Sequence, residues 1–314
     1  MSSRFTLRQL EYFVAVGRAG SVVEAAERVN VSSPSISTAI SQLEQALGLP
    51  LFVRRRAQGL SLTQAGRQMM EQAGEVLAQA EALARLAGDI AGEVRGPLTL
   101  GCLLSFAQII VPGLRRGFEN LYPDVAVRQR ELDQEGIFAG LRRAEIDVAL
   151  SYDMGIPADL EFVPLVPLHP FAMMAVDHPL TDRDAVTVEE LRPHPMILLD
   201  LPYSSEYFLS FFTARGTQPV IAERTRDMAV MRSLVANGYG YSIATIRPLN
   251  DRAPDGTPLR FVPLEGAVEP MQLGLVMAKG ATSVLTLRAF IDHAKAYVAG
   301  GHVPGIMPSG GGAV

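Results

Sequence analysis

From Gln64 onward, Met69, Ala73, Val76, Ala80, Leu83, Ala87, Ile90 and Val94 recur at alternating spacings of four and three, with no interior proline. Only a long α-helix gathers such a stripe onto one side of a chain, and a period of 3.5 rather than 3.6 residues is that of a coiled-coil seam. Gln72, Glu75, Gln79, Glu81 and Arg85 form the polar face beside it. Alanine at alternate seam positions lets a second helix approach closely, although the same stripe could pack against the chain's own body. Gly92 and then Gly96-Pro97 stop the helix. A linker helix over residues 64–95 therefore divides a short head, 1–63, from a much longer body.

The head reads as three short helices and a hairpin. Leu7, Leu10, Phe13, Val14 and Gly17 share one helical face, which should stop at Gly20. Ser21 with Glu24 reads as a capping box opening a second helix over Val22, Ala25, Ala26 and Val29. After Asn30-Val31, Ser32 can cap a third, whose buried stripe is Ile36, Ile40, Leu43 and Leu47. At 100° per residue, Ser37, Thr38, Ser41, Gln42 and Gln45 fall opposite that stripe, and none is acidic. Gly48 ends the helix. Leu51-Phe52, Arg54, Arg55 and Arg56, a turn at Gly59 and Leu60-Ser61-Leu62 then suggest a basic two-stranded wing.

Charge is divided along the same line. Residues 1–66 hold seven Arg against four acids, +3, whereas 67–314 hold 21 Lys or Arg against 29 acids, −8. A polyanion would therefore meet the head. Two short helices joined by a tight turn, the second offering a small polar face, are the sequence form of a helix-turn-helix, and the arginine wing makes the combination more specific than either part. A purely structural helix pair with solvated arginines is the competing reading of the same residues.

Phe5 to Gly66 resembles the winged helix-turn-helix of LysR-type transcriptional regulators. The resemblance rests on Leu7-Arg8-Gln9-Leu10 with Phe13, Gly20-Ser21-Val22 with Glu24-Ala25-Ala26, and Ser32-Ser33-Pro34-Ser35-Ile36-Ser37. It continues through Ile40 with Leu43-Glu44, Leu47-Gly48 with Pro50-Leu51-Phe52, and Leu62-Thr63 with Ala65-Gly66, and the rest of the chain fits as well. Ser33 and Thr38 depart from the Gln and Arg that many members carry there, which bears on the operator sequence read. The resemblance implies that the helix from Ser33 to Leu47 enters the major groove of double-stranded promoter DNA, with Ser33, Pro34, Ser35, Ser37, Thr38 and Ser41 nearest the bases. Arg54, Arg55 and Arg56 would follow the phosphates. It implies a homodimer joined through the linker helix at Met69, Ala73, Val76, Ala80, Leu83, Ala87 and Ile90, pairing further into a homotetramer, with RNA polymerase as a further partner class.

Past Gly96, β-rich runs alternate with helical stretches, the pattern of an α/β sheet. The runs are Leu98–Cys102, Val125–Glu131, Asp147–Ser151, Phe171–Val176, Met196–Asp200, Ile221–Thr225, Tyr241–Ala244 and Met271–Met277. Helices are expected to about Leu121, near Gly136–Arg143, and over Glu206–Arg215, Met228–Asn237 and Ser283–Val298. The expected architecture is α+β overall, the body (96–299) being by resemblance a two-lobed α/β domain similar to type 2 periplasmic binding proteins. Lobe I would hold 96–164 and 270–299 and lobe II 165–269, with crossings near Val163–Val166 and Val268–Met271, and 300–314 would form a flexible tail.

In open α/β sheets a ligand sits beyond the carboxyl ends of strands, where helices begin. That rule selects Leu103, Leu104, Ser105 and Phe106; Tyr152 with Asp153; Pro202, Tyr203, Ser204 and Ser205; and Arg226, Asp227 and Met228; Arg247 is added for its charge. Ser105, Ser205 and Asp227 also read as plain helix caps. Arg226 and Arg247 suit a carboxylate, and Asp153, Asp200, Glu206 and Asp227 an amine; the helix N-termini favour a small organic acid as the effector.

Other functions find no support in the residues. Cys102 is the only cysteine, excluding an intramolecular disulfide and a multi-cysteine zinc site. It reads as a buried structural thiol rather than a redox sensor. The five histidines contain no pair at helical ligand spacing, so no metal or cofactor is expected. Gly238-Tyr239-Gly240-Tyr241-Ser242 lacks the nucleophile-elbow order, and no phosphate-binding loop with its lysine occurs. No catalytic residue is assigned, which sets aside an enzyme working in the crevice. No apolar run approaches a membrane span and Met1 to Leu10 lacks an export signal, so no membrane partner and a cytoplasmic location are expected. A solute-binding module without DNA function is disfavoured for the same reason.

Overall fold

The computed structural model describes residues 5–55, 59–266 and 268–301. Arg56 and the expected tail beyond Gly301 lie outside the described residues. The chain divides into two compact units, Met1–Glu93 with Arg142–Glu145, and Val94–Leu141 with Ile146–Val314.

In the first unit, α1 (Leu7–Ala19), α2 (Val22–Arg28) and α3 (Ser33–Leu47) are followed by the hairpin β1 (Phe52–Arg55) and β2 (Gly59–Leu62), and then by α4 (Gln64–Ala91). β1 and β2 pair antiparallel, Phe52 opposite Leu62 and Arg54 opposite Leu60. Helix α1 stops at left-handed Gly20, and the Ser32 hydroxyl caps α3, as expected. The expected capping box at Ser21 is half formed: Ser21 accepts from the Glu24 N–H, but the Glu24 carboxylate turns to Arg28 one turn on. A complete box stands instead at Thr6 and Gln9, opening α1. Leu10, Phe13, Val14, Leu43 and Leu51 form the buried core against which Met69, Met70, Ala73 and Leu77 of α4 pack. That contact corrects part of the expected seam. Ala73 is fully buried and Met69 half-buried against the chain's own head, so neither is offered to a second helix.

The second unit opens with β3 (Gly96–Cys102), α5 (Leu104–Ile109), α6 (Val111–Leu121), β4 (Val125–Glu131), α7 (Gln134–Arg142), β5 (Val148–Tyr152) and β6 (Leu160–Leu168). It continues with β7 (Phe171–Ala175), α8 (Val188–Leu191), β8 (Pro195–Leu199), α9 (Ser204–Thr213), β9 (Val220–Thr225) and α10 (Met228–Ala236). β10 (Ser242–Ala244), β11 (Leu259–Pro263), β12 (Met271–Ala278) and α11 (Leu285–Ala299) complete it. Lobe I is built on a five-stranded sheet of order β4-β3-β5-β12-β6, with β3 parallel to β4 and β5 and with β12 antiparallel to its neighbours. α6 and α11 cover it, Phe118 meeting Phe290 edge-on at 5.0 Å. Lobe II holds the three-stranded β10-β7-β11 and the parallel pair β8-β9.

Sequence periodicity passes over β6 and β11. β6 contains Pro164 and Pro167 and β11 ends in Pro263. Proline lacks the N–H that a central strand must donate, and both strands occupy sheet edges, where that loss is tolerated. β6 also carries a bulge, with Val166 opposite Leu273 and Pro164 opposite Gly274. A Cβ on Gly274 would lie 2.3 Å from the Phe162 ring and 2.6 Å from the Val163 carbonyl oxygen, so glycine is required at this bulge. The expected crossing at Val163–Val166 is corrected accordingly. Those residues pair inside the lobe I sheet with Leu275 to Leu273, pairing runs on to Leu168 opposite Met271, and the passage to lobe II is His169-Pro170. The return passage leaves β11 alongside, the Leu264 N–H donating to the Pro170 carbonyl at 3.1 Å.

Close approach also fixes the start of α4. A Cβ on Gly66 would stand 2.1 Å from the Leu51 carbonyl oxygen, whereas one on Gly74, also within α4, meets nothing within 4 Å. Gly66→Ala should destabilise the first unit by about 1–3 kcal/mol through overpacking, whereas Gly74→Ala should stabilise it by about 0.5–1 kcal/mol through helix propensity. Denaturant unfolding of the full chain, read by helical circular dichroism, checks both signs.

Candidate functional sites

The first site is the outer face of α3. Pro34, Ser35, Ser37, Thr38, Ser41 and Gln45 are exposed while Ile36, Ile40 and Leu43 are buried, and Ser33 is half-buried. Glu44, the one acid in α3, does not reach that face as a free charge: its carboxylate accepts from the N–H groups of Leu51 (2.7 Å) and Phe52 (3.2 Å). One interaction thus ties α3 to the wing and holds the carboxylate toward the wing backbone rather than on the outer face. Gln9 Nε2 donates to Gln42 Oε1 at 3.1 Å, bracing α1 against α3. The Ser35 hydroxyl lies 2.7 Å from that of Ser32, so part of its role is capping. Arg54 and Arg55 stand on β1, and Arg56 lies outside the described residues.

The second site is the side of α4 turned away from the head core. Its exposed apolar residues are Val76 (45%), Leu83 (69%), Leu86 (52%) and Ile90 (80%). Val76, Leu83 and Ile90 keep the expected seven-residue period, while Leu86 lies outside the alanine register and is not picked out by it. Ala80 is half-buried, and the side chain of Ala87 lies outside the described residues.

The third site is a cavity of about 310 Å³ in the second unit. Lobe I contributes Leu103, Leu104, Ser105, Gln108, Glu131, Leu132, Asp133, Gln134 and Tyr152; lobe II contributes Leu199, Leu201, Pro202, Ser204, Phe208, Arg226, Asp227, Met228, Ala244, Thr245 and Ile246; Met271 lies at the return crossing. Of the expected residues, Leu103, Leu104, Ser105, Tyr152, Pro202, Ser204, Arg226, Asp227 and Met228 line it. Five do not, each for a local reason. The Asp153 carboxylate turns to the Gln272 N–H at 2.9 Å. Phe106 lies on the other side of the short α5, buried in the core with its ring 4.8 Å from that of Tyr152. Tyr203 has a left-handed backbone, φ 64°, that turns its ring onto Gly155. Ser205 turns back, its hydroxyl donating to the Leu201 carbonyl at 3.1 Å, so Ser204 rather than Ser205 faces the cavity. The Arg247 guanidinium lies over the Phe261 ring at 4.1 Å.

Neither expected serine is an N-cap. α5 is entered through Leu103 and α9 through Tyr203, without side-chain caps. Asp227 caps α10, accepting from Ala229 at 2.7 Å and Val230 at 3.1 Å. Sequence reasoning missed the segment Glu131 to Gln134, although it follows the carboxyl end of β4 and the same strand-end rule selects it. It also missed Thr245, just beyond β10.

The interior of the cavity is uncharged. Tyr152 and Thr245 are buried, and the hydroxyls of Thr245, from lobe II, and Ser105, from lobe I, line the cavity beside the Tyr152 phenol. Burial pushes the Tyr152 phenol up and these hydroxyls pull it partly back, so at neutral pH it is a neutral donor and acceptor. Gln134, also buried, is satisfied by its own lobe: its Nε2 donates to the Met154 carbonyl and its Oε1 accepts from Ser151. Cys102 is fully buried beneath, and burial, with the Glu131 charge adding, pushes its thiol up to about 12. A thiol so protonated does not act as a nucleophile near neutral pH.

Comparison with known proteins identifies both parts of the chain by family. Residues 7–67 match the family described as bacterial regulatory helix-turn-helix protein, lysR family, and residues 91–299 match the LysR substrate binding domain. The Hca operon transcriptional activator HcaR of Escherichia coli (strain K12) is 30% identical over 288 residues, covering 91% of this chain and 95% of HcaR. The crystal structure of a putative LysR family regulator from Pseudomonas aeruginosa is 32% identical, covers 94% of this chain and 99% of that one, and superposes with a TM-score of 0.64. Full-length CbnR, solved in complex with its target DNA, shares the fold at 23% identity and a TM-score of 0.67, over 93% of this chain and 99% of that one. The matched relatives are regulators, not enzymes. With a DNA-binding head and a two-lobed substrate-binding body both in place, the chain belongs to the LysR family of DNA-binding transcriptional regulators.

Proposed function

We propose that the chain binds promoter DNA as a homodimer, placing the outer face of α3 in the major groove and the wing along the phosphates, and that a small molecule in the interlobe cavity sets its activity. The observation that carries the reading is the acid-free hydroxyl face of α3 beside a strand bearing arginines. CbnR, of the same fold, is solved on its target DNA, which supports the same use of the head here. Ser37, Thr38 and Ser41 then contact base edges, with Ser33, Pro34 and Ser35 at the helix start. Arg54, Arg55 and Arg56 supply affinity common to all sequences.

The exposed stripe of α4 supports pairing with a second copy, because burying large apolar side chains is worth about 1.5–3 kcal/mol each relative to leaving them in water. Two-fold symmetry would match half-sites about one helical turn, ~34 Å, apart. Pairing of dimers into a homotetramer and contact with RNA polymerase extend this reading. No described helix is long and apolar enough to cross a membrane. A DNA-binding regulator works where the genome is, so the cytoplasm is the proposed location.

Three outcomes follow. Replacing Arg54, Arg55 and Arg56 together by Ala should weaken binding to every DNA sequence and lower the salt slope by about 0.9 for each phosphate that these arginines neutralise. Thr38→Ala should instead change the preference among operator variants; gel-shift titrations over a salt series separate the two. The double change Leu83→Glu and Ile90→Glu alters only exposed positions, so the chain should keep its fold while sedimentation shows monomers and operator binding fails. An unchanged sedimentation coefficient would remove α4 from the interface. Ser204→Trp should fill the cavity and abolish the response to effector, measured on an operator reporter, while the gel-shift affinity stays within about twofold of the parent.

A further inference from the structure

We propose that the molecule held between the lobes is an uncharged apolar compound carrying one hydrogen-bonding group, which it presents to the Tyr152 hydroxyl, rather than a carboxylate or phosphate. The proposal rests on the reading that the cavity is the effector site and names the chemistry of its occupant.

Charge and burial are separated in this cavity. Its charged residues, Glu131, Asp133, Arg226 and Asp227, are all exposed at the rim. Its buried wall is Leu199, Phe208, Ile246 and Met271, with Tyr152 and Thr245 as the hydroxyl groups. A carboxylate drawn into that interior would leave water without meeting a cation. The rim does not invite an anion either, since three carboxylates surround one guanidinium.

Of the helix N-termini at the cavity, the usual reason to expect an anion, those of α7 and α10 are occupied by carboxylates, the first N–H groups of α9 donate to the Pro202 and Leu201 carbonyls, and only the six-residue α5 begins uncapped. Asp133 Oδ1 accepts from the Gly136 N–H at 2.7 Å at the start of α7, and Asp227 Oδ1 accepts from Ala229 and Val230 at the start of α10. At α7 and α10 the chain's own carboxylates thus sit where a ligand anion would bind. Arg247, the second arginine that could have met an acid, lies over Phe261 and does not line the cavity. What remains for recognition is the hydroxyl cluster of Ser105, Tyr152 and Thr245, drawn from both lobes. A neutral oxygen or N–H on an otherwise apolar ligand satisfies such a cluster without leaving a buried charge unpaired.

Two probes of one shape separate the alternatives: 2-naphthamide, which is neutral, and 2-naphthoate, its anionic counterpart. They are titrated calorimetrically into the full-length chain at pH 7.5. The amide should bind at least tenfold more tightly than the carboxylate. Tyr152→Phe should weaken the amide about two- to tenfold, and Ser105→Ala should act in the same direction; Ser204→Trp should remove binding. Naphthoate binding as tight as the amide, and lost in Ser204→Trp, overturns the proposed chemistry while leaving the cavity as the effector site. Amide binding that survives Ser204→Trp places the probe elsewhere and overturns the proposed chemistry. No amide binding at millimolar concentration overturns the chemistry alone, because the reporter response of Ser204→Trp judges the cavity separately. Unchanged amide affinity in both Tyr152→Phe and Ser105→Ala overturns the role of the hydroxyl cluster.

Discussion

The antiparallel pairing of β6 with β12 is the constraint on which the body depends. Both passages between the lobes leave from its end, at Leu168 opposite Met271, and they remain hydrogen-bonded to each other through Leu264 and Pro170. Two adjacent strands resist sliding and twisting far more than bending, so the lobes have a hinge rather than a flexible tether. Each lobe clamps that hinge. From lobe I the Asp153 carboxylate accepts from the Gln272 N–H at 2.9 Å, and from lobe II the Tyr207 hydroxyl donates to the Glu269 carbonyl at 2.6 Å. Met271, between those two contacts, is itself a cavity wall. A molecule entering the cavity therefore touches the hinge directly, which is the physical link between occupancy and the angle between the lobes.

How much of this was legible follows from which residues signal their own neighbours. The boundaries of α3 are readable because Ser32 and Gly48 are local punctuation and the buried stripe has helical spacing; β4 likewise stands at Val125–Glu131 as its alternation indicates. β6 and β11 were hidden by their prolines, which count against a strand until the sheet order is known, and sheet order depends on contacts distant in sequence. In the cavity, the strand-end rule found the right loops but not which side chain of each loop points inward. α5 is under two turns long, so Phe106 faces the core while Leu104, Ser105 and Gln108 face the cavity. The left-handed turn at Tyr203 rotates the start of α9 by one residue, exchanging Ser205 for Ser204. Arg247 carries no sequence sign that a phenylalanine fourteen residues later will occupy its guanidinium.

Helix α4 illustrates the same limit from the opposite side. Its seven-residue repeat is a property of the sequence alone, but the repeat serves two different surfaces. Near its start the stripe completes the core of the head, where Met69, Ala73 and Leu77 replace water around Phe13, Leu43 and Leu51. Further along, the same period carries Val76, Leu83 and Ile90 into solvent. Periodicity reports that residues share a face; it contains no information about where along the helix one neighbour ends and another begins.

A common feature of the two binding surfaces is that acidic groups are engaged by the chain's own backbone N–H groups before any ligand arrives. Glu44 is held by the N–H groups of Leu51 and Phe52, Asp133 by Gly136, and Asp227 by Ala229 and Val230. The physical effect is opposite in the two places. On the head, withdrawing the one acid of α3 leaves a neutral hydroxyl face that a phosphate backbone can approach without repulsion. In the cavity, the same kind of bond takes the N-terminal donors of α7 and α10, so that a site whose topology suggests anion binding has fewer left to hold an anion. The position of an acid in the sequence therefore says less about electrostatics than the backbone donors it has already found.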